Sequence, residues 1–297
     1  MSKIVAMMQG GLGNQCFIYA TARALAIRAG ADLLLDGSYF LEDKVYRRSF
    51  ALEPFKCSVC EIVERAKPIR LFRRARYALL RDRLKRLGNY CCDMRPFRYR
   101  PLPEEWRGEL LLDGYWQSER YFYDVRKQIL ADFTLCDGAW LKEDALADQI
   151  AAVKNSVFLH VRSYKEVPGQ EGGECAFRMA DYYLQALKRM YREIGGGTVF
   201  VFSDDIEWTK VHFLKNWRER FSRFDFKAVD GKSSQLRDFS LMRMCLHGIV
   251  ADSTFSWWAG WLGEQEWLGK GERPVRIRVN HRVLNDDFWP ERWICET

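Results

Sequence analysis

The chain has 297 residues, 48% hydrophobic, 14% aromatic and 29% charged, a balance that supports a packed core and excludes disorder as the default. Its length suits two α/β domains of about 150 residues each. Nine cysteines, an odd number scattered along the chain, fit reduced thiols in a cytoplasmic enzyme better than a disulfide scaffold.

The first residues, MSKIVAMMQGG, carry no charged n-region, apolar h-region or small-residue cleavage site, so no secretory signal is expected. Nor does any apolar run approach the roughly 18 residues of a spanning helix. Residues 3–8 form a first buried strand, and NQCFIYATARALAIRAG places apolar residues at three and four spacing before a glycine stop at Gly30. ADLLLD then supplies a second strand, giving a strand, glycine turn, helix, strand unit and hence a parallel pair.

Residues 38–110 show few strong strands. Between Arg65 and Arg86 stand ten Lys/Arg and one acid, Asp82, a local balance of +9 that leaves the rest of the chain at −2 of its total +7. Apolar residues at near-helical spacing make this stretch a basic amphipathic helix, either a solvated surface helix or a peripheral contact with an anionic membrane. No aromatic platform or groove-reading motif accompanies the charge, so nucleic acid is not an expected partner. Cys57 and Cys60 form a CxxC, yet no histidine lies near and Cys91 and Cys92 are adjacent. That spacing does not make a zinc site, and no metal is expected.

Alternation resumes after residue 110. LLLDGYWQSERYF (110–122) is a strand, an aromatic turn and the start of a helix; SVFLHV (156–161) is a strand; 181–197 a helix with a glycine stop; TVFVFSD (198–204) a strand. A Trp-rich helix, a strand at 226–230, a helix at 234–248 and a strand at 249–252 follow. STFSWWAGWLG (253–263) then starts a helix behind a Ser/Thr cap. The expected division is an N-terminal unit, 1–150, and a C-terminal unit, 151–297, whose last residues pack back on the first.

QGGLGNQC (9–16) sits where a strand meets a helix, so backbone N–H groups and the helix dipole point at whatever occupies the turn. Gly11 and Gly13, with Asp36 about twenty residues on, nearly satisfy a dinucleotide fingerprint, but its third place is Cys16. Asn14 and Gln15 suit hydrogen bonding to a hydroxyl-rich ligand. From the residues alone, a nicotinamide or flavin site, another ligand turn and a plain tight turn all stay open.

Three segments in order, GGLGNQCFIYATARALA, GYWQSERYF (114–122) and ADSTFSWWAGWLG (251–263), together resemble the α1,2-fucosyltransferases of bacteria and animals. The resemblance implies a GT-B architecture, two Rossmann-like domains facing across a cleft, with GDP-L-fucose in the C-terminal domain and the acceptor approaching from the N-terminal one. It implies inverting transfer without a metal or resident cofactor. On this resemblance Asn14 faces the cleft and is counted among the residues that bind the GDP-L-fucose donor.

The same resemblance assigns the site. In the wider fucosyltransferase group the strand ending in His160-Val161-Arg162 continues H-V-R-R, whereas Ser163, Tyr164 and Lys165 stand here. Arg162 can still donate in a fork to the pyrophosphate and offset its growing charge, unless it serves only to pair a carboxylate. His160 is either a site residue or a satisfied strand histidine. GGECAFRMADYY resembles the segment holding the catalytic base of core α1,6-fucosyltransferases, which makes Glu174 the candidate base, with Glu171 or Glu166 as substitutes. Asp204 and Asp205 can bond the sugar or guanosine, or serve only as an acidic pair at a helix start. Asp238 matches the aspartate that binds guanine, whose N1–H and 2-amino group suit two carboxylate acceptors. Ser253, Thr254 and Ser256 stand at a helix start able to hold phosphate, while Trp257, Trp258 and Trp261 suit helix core better than a sugar platform.

The expected activity is inverting transfer of L-fucose from GDP-L-fucose to the 2-hydroxyl of a terminal galactoside, in bacterial surface polysaccharide (O-antigen) synthesis on the inner face of the plasma membrane. The alternatives are a nucleotide-sugar-binding protein without turnover and an NAD-dependent oxidoreductase built on the first turn.

Overall fold

The computed structural model describes residues 2–41, 43–58, 61–63, 82–83, 85–86, 88–93, 97–164, 174–230, 234–280 and 287–296. Cys60 and nearly all of the basic stretch 65–86 lie outside the described residues. Contacts divide the chain into two compact units, Met1–Cys136 with Val283–Pro290 and Asp137–Arg282 with Glu291–Thr297.

In the first unit β1 (Lys3–Met7) leads into α1 (Leu12–Ala29), and β2 (Asp32–Asp36), β3 (Glu61–Val63), β4 (Tyr90–Cys92) and β5 (Glu109–Asp113) complete a sheet of order β3-β2-β1-β5-β4. Every pair is parallel. A central parallel strand is covered on both faces and so reads as an apolar run; Ile4, Val5 and Ala6 are fully buried. Gly30 ends α1 at φ 59°, and the Ala31 N–H donates to the Ala26 carbonyl at 3.0 Å. After β5 the chain makes two 3₁₀ turns, Glu119–Tyr121 and Tyr123–Val125, before α2 (Arg126–Asp132). Asp287 returns to this unit by accepting from the Tyr99 N–H at 2.7 Å and Arg120 Nη1 at 2.6 Å.

The second unit opens with α3 (Ala139–Lys142) and α4 (Ala145–Ala152), and its sheet holds β6 (Ser156–Val161), β7 (Gly197–Ser203), β8 (Phe224–Ala228), β9 (His247–Val250), β10 (Arg276–Val279) and β11 (Ile294–Glu296) in the order β11-β10-β9-β6-β7-β8. All neighbours are again parallel. Between β6 and β7 come α5 (Glu174–Arg178) and α6 (Ala180–Ile194). α7 (Ile206–Thr209) runs through a π-helical turn, Lys210–Leu214, into α8 (Lys215–Arg220), and α9 (Gln235–Met244) and α10 (Thr254–Gly269) complete the unit.

One face of this sheet packs Val157, Leu159, Val161, Val199 and Val201 against Tyr183, Ala186, Leu187 and Met190 of α6 and Trp217 of α8. Trp257, Trp258 and Trp261 of α10 are fully buried, with the rings of Trp257 and Trp261 stacked at 6.2 Å and 8°, so they are core. Gly248 permits one tight layer: a Cβ there would stand 2.2 Å from the Phe158 ring. Two boundaries differ from expectation. Cys245 leaves α9 in extended conformation (ψ 134°), which lets β9 start at His247, and β8 starts at Phe224. β3, β4, β10 and β11 have no signature in the sequence because three or four residues are too few for a period to register.

Candidate functional site

Sheet order locates the candidate site in each unit. In the second, the chain steps outward from β6 to β7 and β8 on one side and through β9, β10 and β11 on the other, so the order reverses between β6 and β9. Crevices open beyond the carboxyl ends of parallel strands at such reversals. In the first unit the reversal falls between β1 and β5.

The β6/β9 reversal carries most of the residues singled out above. Arg162 follows β6 directly, and its Nη1 donates to Asp204 Oδ2 at 2.7 Å, with both side chains about four-fifths buried. The other carboxylate oxygen of Asp204, at the end of β7, accepts from the Ser163 N–H at 2.7 Å. Asp204 therefore holds both the guanidinium and the backbone of the loop that follows it. The Tyr164 ring lies 4.6 Å from the guanidinium carbon, a cation–π contact, and Tyr164 Oη donates to the Asp252 carbonyl at 2.9 Å. The loops after β6 and β9 are thus tied together. The buried Tyr183 Oη accepts from the Arg162 N–H at 3.2 Å.

Tyr164 takes φ 58°, a conformation that costs a non-glycine residue roughly 1 kcal/mol or more and persists where surrounding contacts impose it. Trp116, after β5, takes φ 54°, so each unit holds a left-handed aromatic residue beside its reversal. Ser163 is fully buried, and its hydroxyl has no hydrogen-bond partner among the described residues.

The remaining residues are placed as follows. His160 is buried near the end of β6, with its ring 5.8 Å from that of Phe255 in α10. Asp205 caps α7, accepting from the Trp208 N–H at 3.2 Å. Asp238 stands half-buried in the first turn of α9, behind Arg237, which bonds Asp144. Ser253 caps α10, its Oγ accepting from the Phe255 N–H at 3.3 Å. Thr254 is half-buried beside it, whereas Ser256 is fully buried with its hydroxyl toward the Ser253 carbonyl. Glu174 is the first residue of α5, and its side chain lies outside the described residues, as do Glu166 and Glu171. Arg162, Asp204 and the start of α10 are thereby gathered at one reversal, while Asn14 belongs to the first unit, where Oδ1 accepts from Gln117 Nε2 at 2.9 Å.

Tyr164, Asp252 and Tyr183 are absent from the expectations because their roles arise from contacts across 21 to 88 residues of sequence. Among the described residues no three His, Cys, Asp or Glu side chains are grouped to hold a metal ion. Burial pushes the Cys57 thiol well above its usual range, which leaves it protonated.

Comparison with known proteins gives the family and the fold. A family model described as glycosyl transferase family 11 matches residues 3–268. The chain is 29% identical to an alpha-1,2-colitosyltransferase of Escherichia coli over 99% of both chains. It is 26% identical to the O-antigen biosynthesis glycosyltransferase WbnK of the same species, over 87% of this chain and 90% of that one. A bovine galactoside 2-alpha-L-fucosyltransferase, SEC1, is 29% identical over 56% of this chain and 44% of its own length. The fold is the GT-B type of NodZ alpha-1,6-fucosyltransferase: the crystal structure soaked with GDP-fucose gives a TM-score of 0.52 at 20% identity, over 88% of this chain and 92% of that one. Because the family match runs through both units and takes in the glycine turn, the GYWQSE segment and the STFSWW helix, the chain belongs to glycosyl transferase family 11.

Proposed function

We propose that this glycosyltransferase moves L-fucose from GDP-L-fucose to the 2-hydroxyl of a terminal galactoside, inverting the anomeric configuration, in the synthesis of a bacterial surface polysaccharide. The observation that carries the reading is the Arg162 constellation, a guanidinium held by Asp204 and Tyr164 at a strand-order reversal. The second unit takes the donor and the first the acceptor. Asp238 reads guanine, Ser253 and Thr254 at the start of α10 meet phosphate, and Arg162 donates to the pyrophosphate. Asp204 fixes the guanidinium beforehand, so little reorganisation is needed as charge grows on the leaving group.

In the step itself the acceptor 2-oxygen bonds to the anomeric carbon as the bond from that carbon to the pyrophosphate oxygen breaks. Glu174 accepts the hydroxyl proton, and GDP departs carrying the electron pair. No metal is assigned. The basic stretch 65–86 is assigned to an anionic membrane surface, where each basic side chain contributes on the order of 1 kcal/mol. No helix among the described residues is long and apolar enough to cross a membrane.

A second reading rests on the alpha-1,2-colitosyltransferase match over 99% of the chain. Colitose is L-fucose without its 3-hydroxyl, so the same site would serve with GDP-colitose as donor. The test incubates the protein with lactose and each GDP-sugar in turn, analysing products by mass spectrometry and NMR for the linkage. A 2-linked fucosyl product supports the first reading, and a colitosyl product alone supports the second. GDP binding with no transfer from either donor points to a binding protein without turnover, and affinity for NAD with none for GDP would overturn both.

A further inference from the structure

Burial alternates past the end of β6. Arg162 and Tyr164 are partly buried and Ser163 between them is fully buried, so the guanidinium and the phenol ring stand on one side of the chain and meet at 4.6 Å. Tyr164 then takes φ 58°. A tyrosine stays in that left-handed region only where its contacts impose it. The phenol has two such contacts: the ring lies on the guanidinium, and the hydroxyl donates to the Asp252 carbonyl at 2.9 Å.

Arg162 is thereby held from both neighbours of its strand, since β6 lies between β7 and β9. From β7 comes Asp204, which takes the guanidinium at 2.7 Å through one carboxylate oxygen and the Ser163 N–H at 2.7 Å through the other. On the β9 side Asp252 is the centre of a tight turn, in which the Ser253 N–H donates to the Ala251 carbonyl at 2.8 Å before α10 begins at Thr254. The residues proposed above to meet phosphate, Ser253 and Thr254, start one position beyond the carbonyl that Tyr164 holds. An anion drawn onto the start of α10 steadies this turn, and Tyr164 connects the turn to the guanidinium.

We infer that Tyr164 is a positioning residue that couples the start of α10 to Arg162, so that the nucleotide's phosphates, once bound at the turn after β9, fix the guanidinium that receives the leaving pyrophosphate. Tyr164 acts through Arg162 and not on the sugar. Its two functions need a tyrosine: glycine would suit the φ and lose both contacts, and phenylalanine would keep the ring on the guanidinium and lose the tie to Asp252. The inference rests on the transferase reading above and adds to it how the two anion-binding groups of the second unit are kept in register.

A double-mutant cycle with Arg162 on the whole protein tests the coupling, reading GDP affinity by titration calorimetry and turnover by GDP release from GDP-fucose with lactose as acceptor. Tyr164→Phe is expected to weaken GDP about threefold to tenfold, the worth of one hydrogen bond, with a smaller fall in kcat. Tyr164→Leu loses both contacts and should lower GDP affinity and kcat by about tenfold or more each. Tyr164→Asn, which accepts the left-handed backbone, should match Tyr164→Leu in both readings while melting at the wild-type temperature, which guards against a leucine variant that folds poorly. In an Arg162→Ala background Tyr164→Leu should change GDP affinity less than about twofold, because the group it acts through is gone; a residue that serves only the fold would weaken GDP equally in both backgrounds. Equal losses in the two backgrounds, or wild-type affinity and turnover in both Tyr164→Leu and Tyr164→Asn, would overturn the assignment. Wild-type protein that binds GDP and transfers no sugar would remove the transferase reading instead, and the cycle on GDP affinity would still decide Tyr164.

Discussion

Arg162 shows how little at the residue scale depends on the residue alone. Its guanidinium offers five N–H donors in a fixed plane, and Asp204 and Tyr164 set that plane. Arg162→Ala is expected to lower kcat by a factor of roughly 10² to 10³ in a GDP-release assay with lactose as acceptor. Arg162→Lys should recover only part of the loss, because an ammonium cannot reproduce the fork. Glu174→Gln should lower kcat by roughly 10² or more while the GDP-induced rise in melting temperature persists; near-normal turnover would remove Glu174 as the base. A third residue governs stability. Burial first, and then Arg276, hold His247 down at about 4, and its Nδ1 accepts from the Val275 N–H at 3.1 Å. Above pH 6.5 the imidazole is neutral folded or unfolded, and stability is full. As pH falls from 6.5 towards 4 the unfolded chain takes up a proton that the folded one refuses, removing about 3 kcal/mol, and below that the loss levels off. Urea unfolding at pH 7 and pH 4.5 should show this slope, and His247→Asn, which keeps an acceptor for Val275, should flatten it.

At the scale of elements, the strands and helices with six or more residues of consistent pattern are legible in the sequence. β6, α6, β7 and α10 stand within a few residues of where periodicity and caps place them, because apolar spacing and Ser or Gly caps act locally. Closeness between elements is not legible. Gly248 looks like any glycine at a strand start, yet the Phe158 ring occupies the space of its missing side chain. Gly248→Ala should therefore destabilise the protein by about 2 kcal/mol or more, measured as a fall in the urea midpoint at unchanged slope. Arg276 is equally opaque in the sequence. It is fully buried, donates to the Gly260 and Leu246 carbonyls at 2.9 and 2.6 Å, and is pushed by burial down to about 10, still charged at neutral pH.

For the whole molecule the expected outcome is ligand-linked stability. GDP or GDP-fucose at about a hundred times Kd should add 2 to 3 kcal/mol, seen as a rise in melting temperature that EDTA leaves intact; a rise abolished by EDTA would require a metal in the site. The family was legible in the sequence because its segments combine a turn, a cap and a strand end, whose chemistry sits in consecutive residues. GGLGNQ places Gly10 at positive φ beside Asn14, and STFSWW places a capping serine before buried tryptophans. Sequence alone thus determined two parallel α/β units, the family and the arginine at the end of β6. Only the tertiary structure decided that Asp204 holds Arg162 and that Tyr164 ties the loop after β6 to the loop after β9. Periodicity and capping report on neighbours a few residues apart, whereas these contacts join residues brought together by strand order, which the chain acquires only when its sheets assemble.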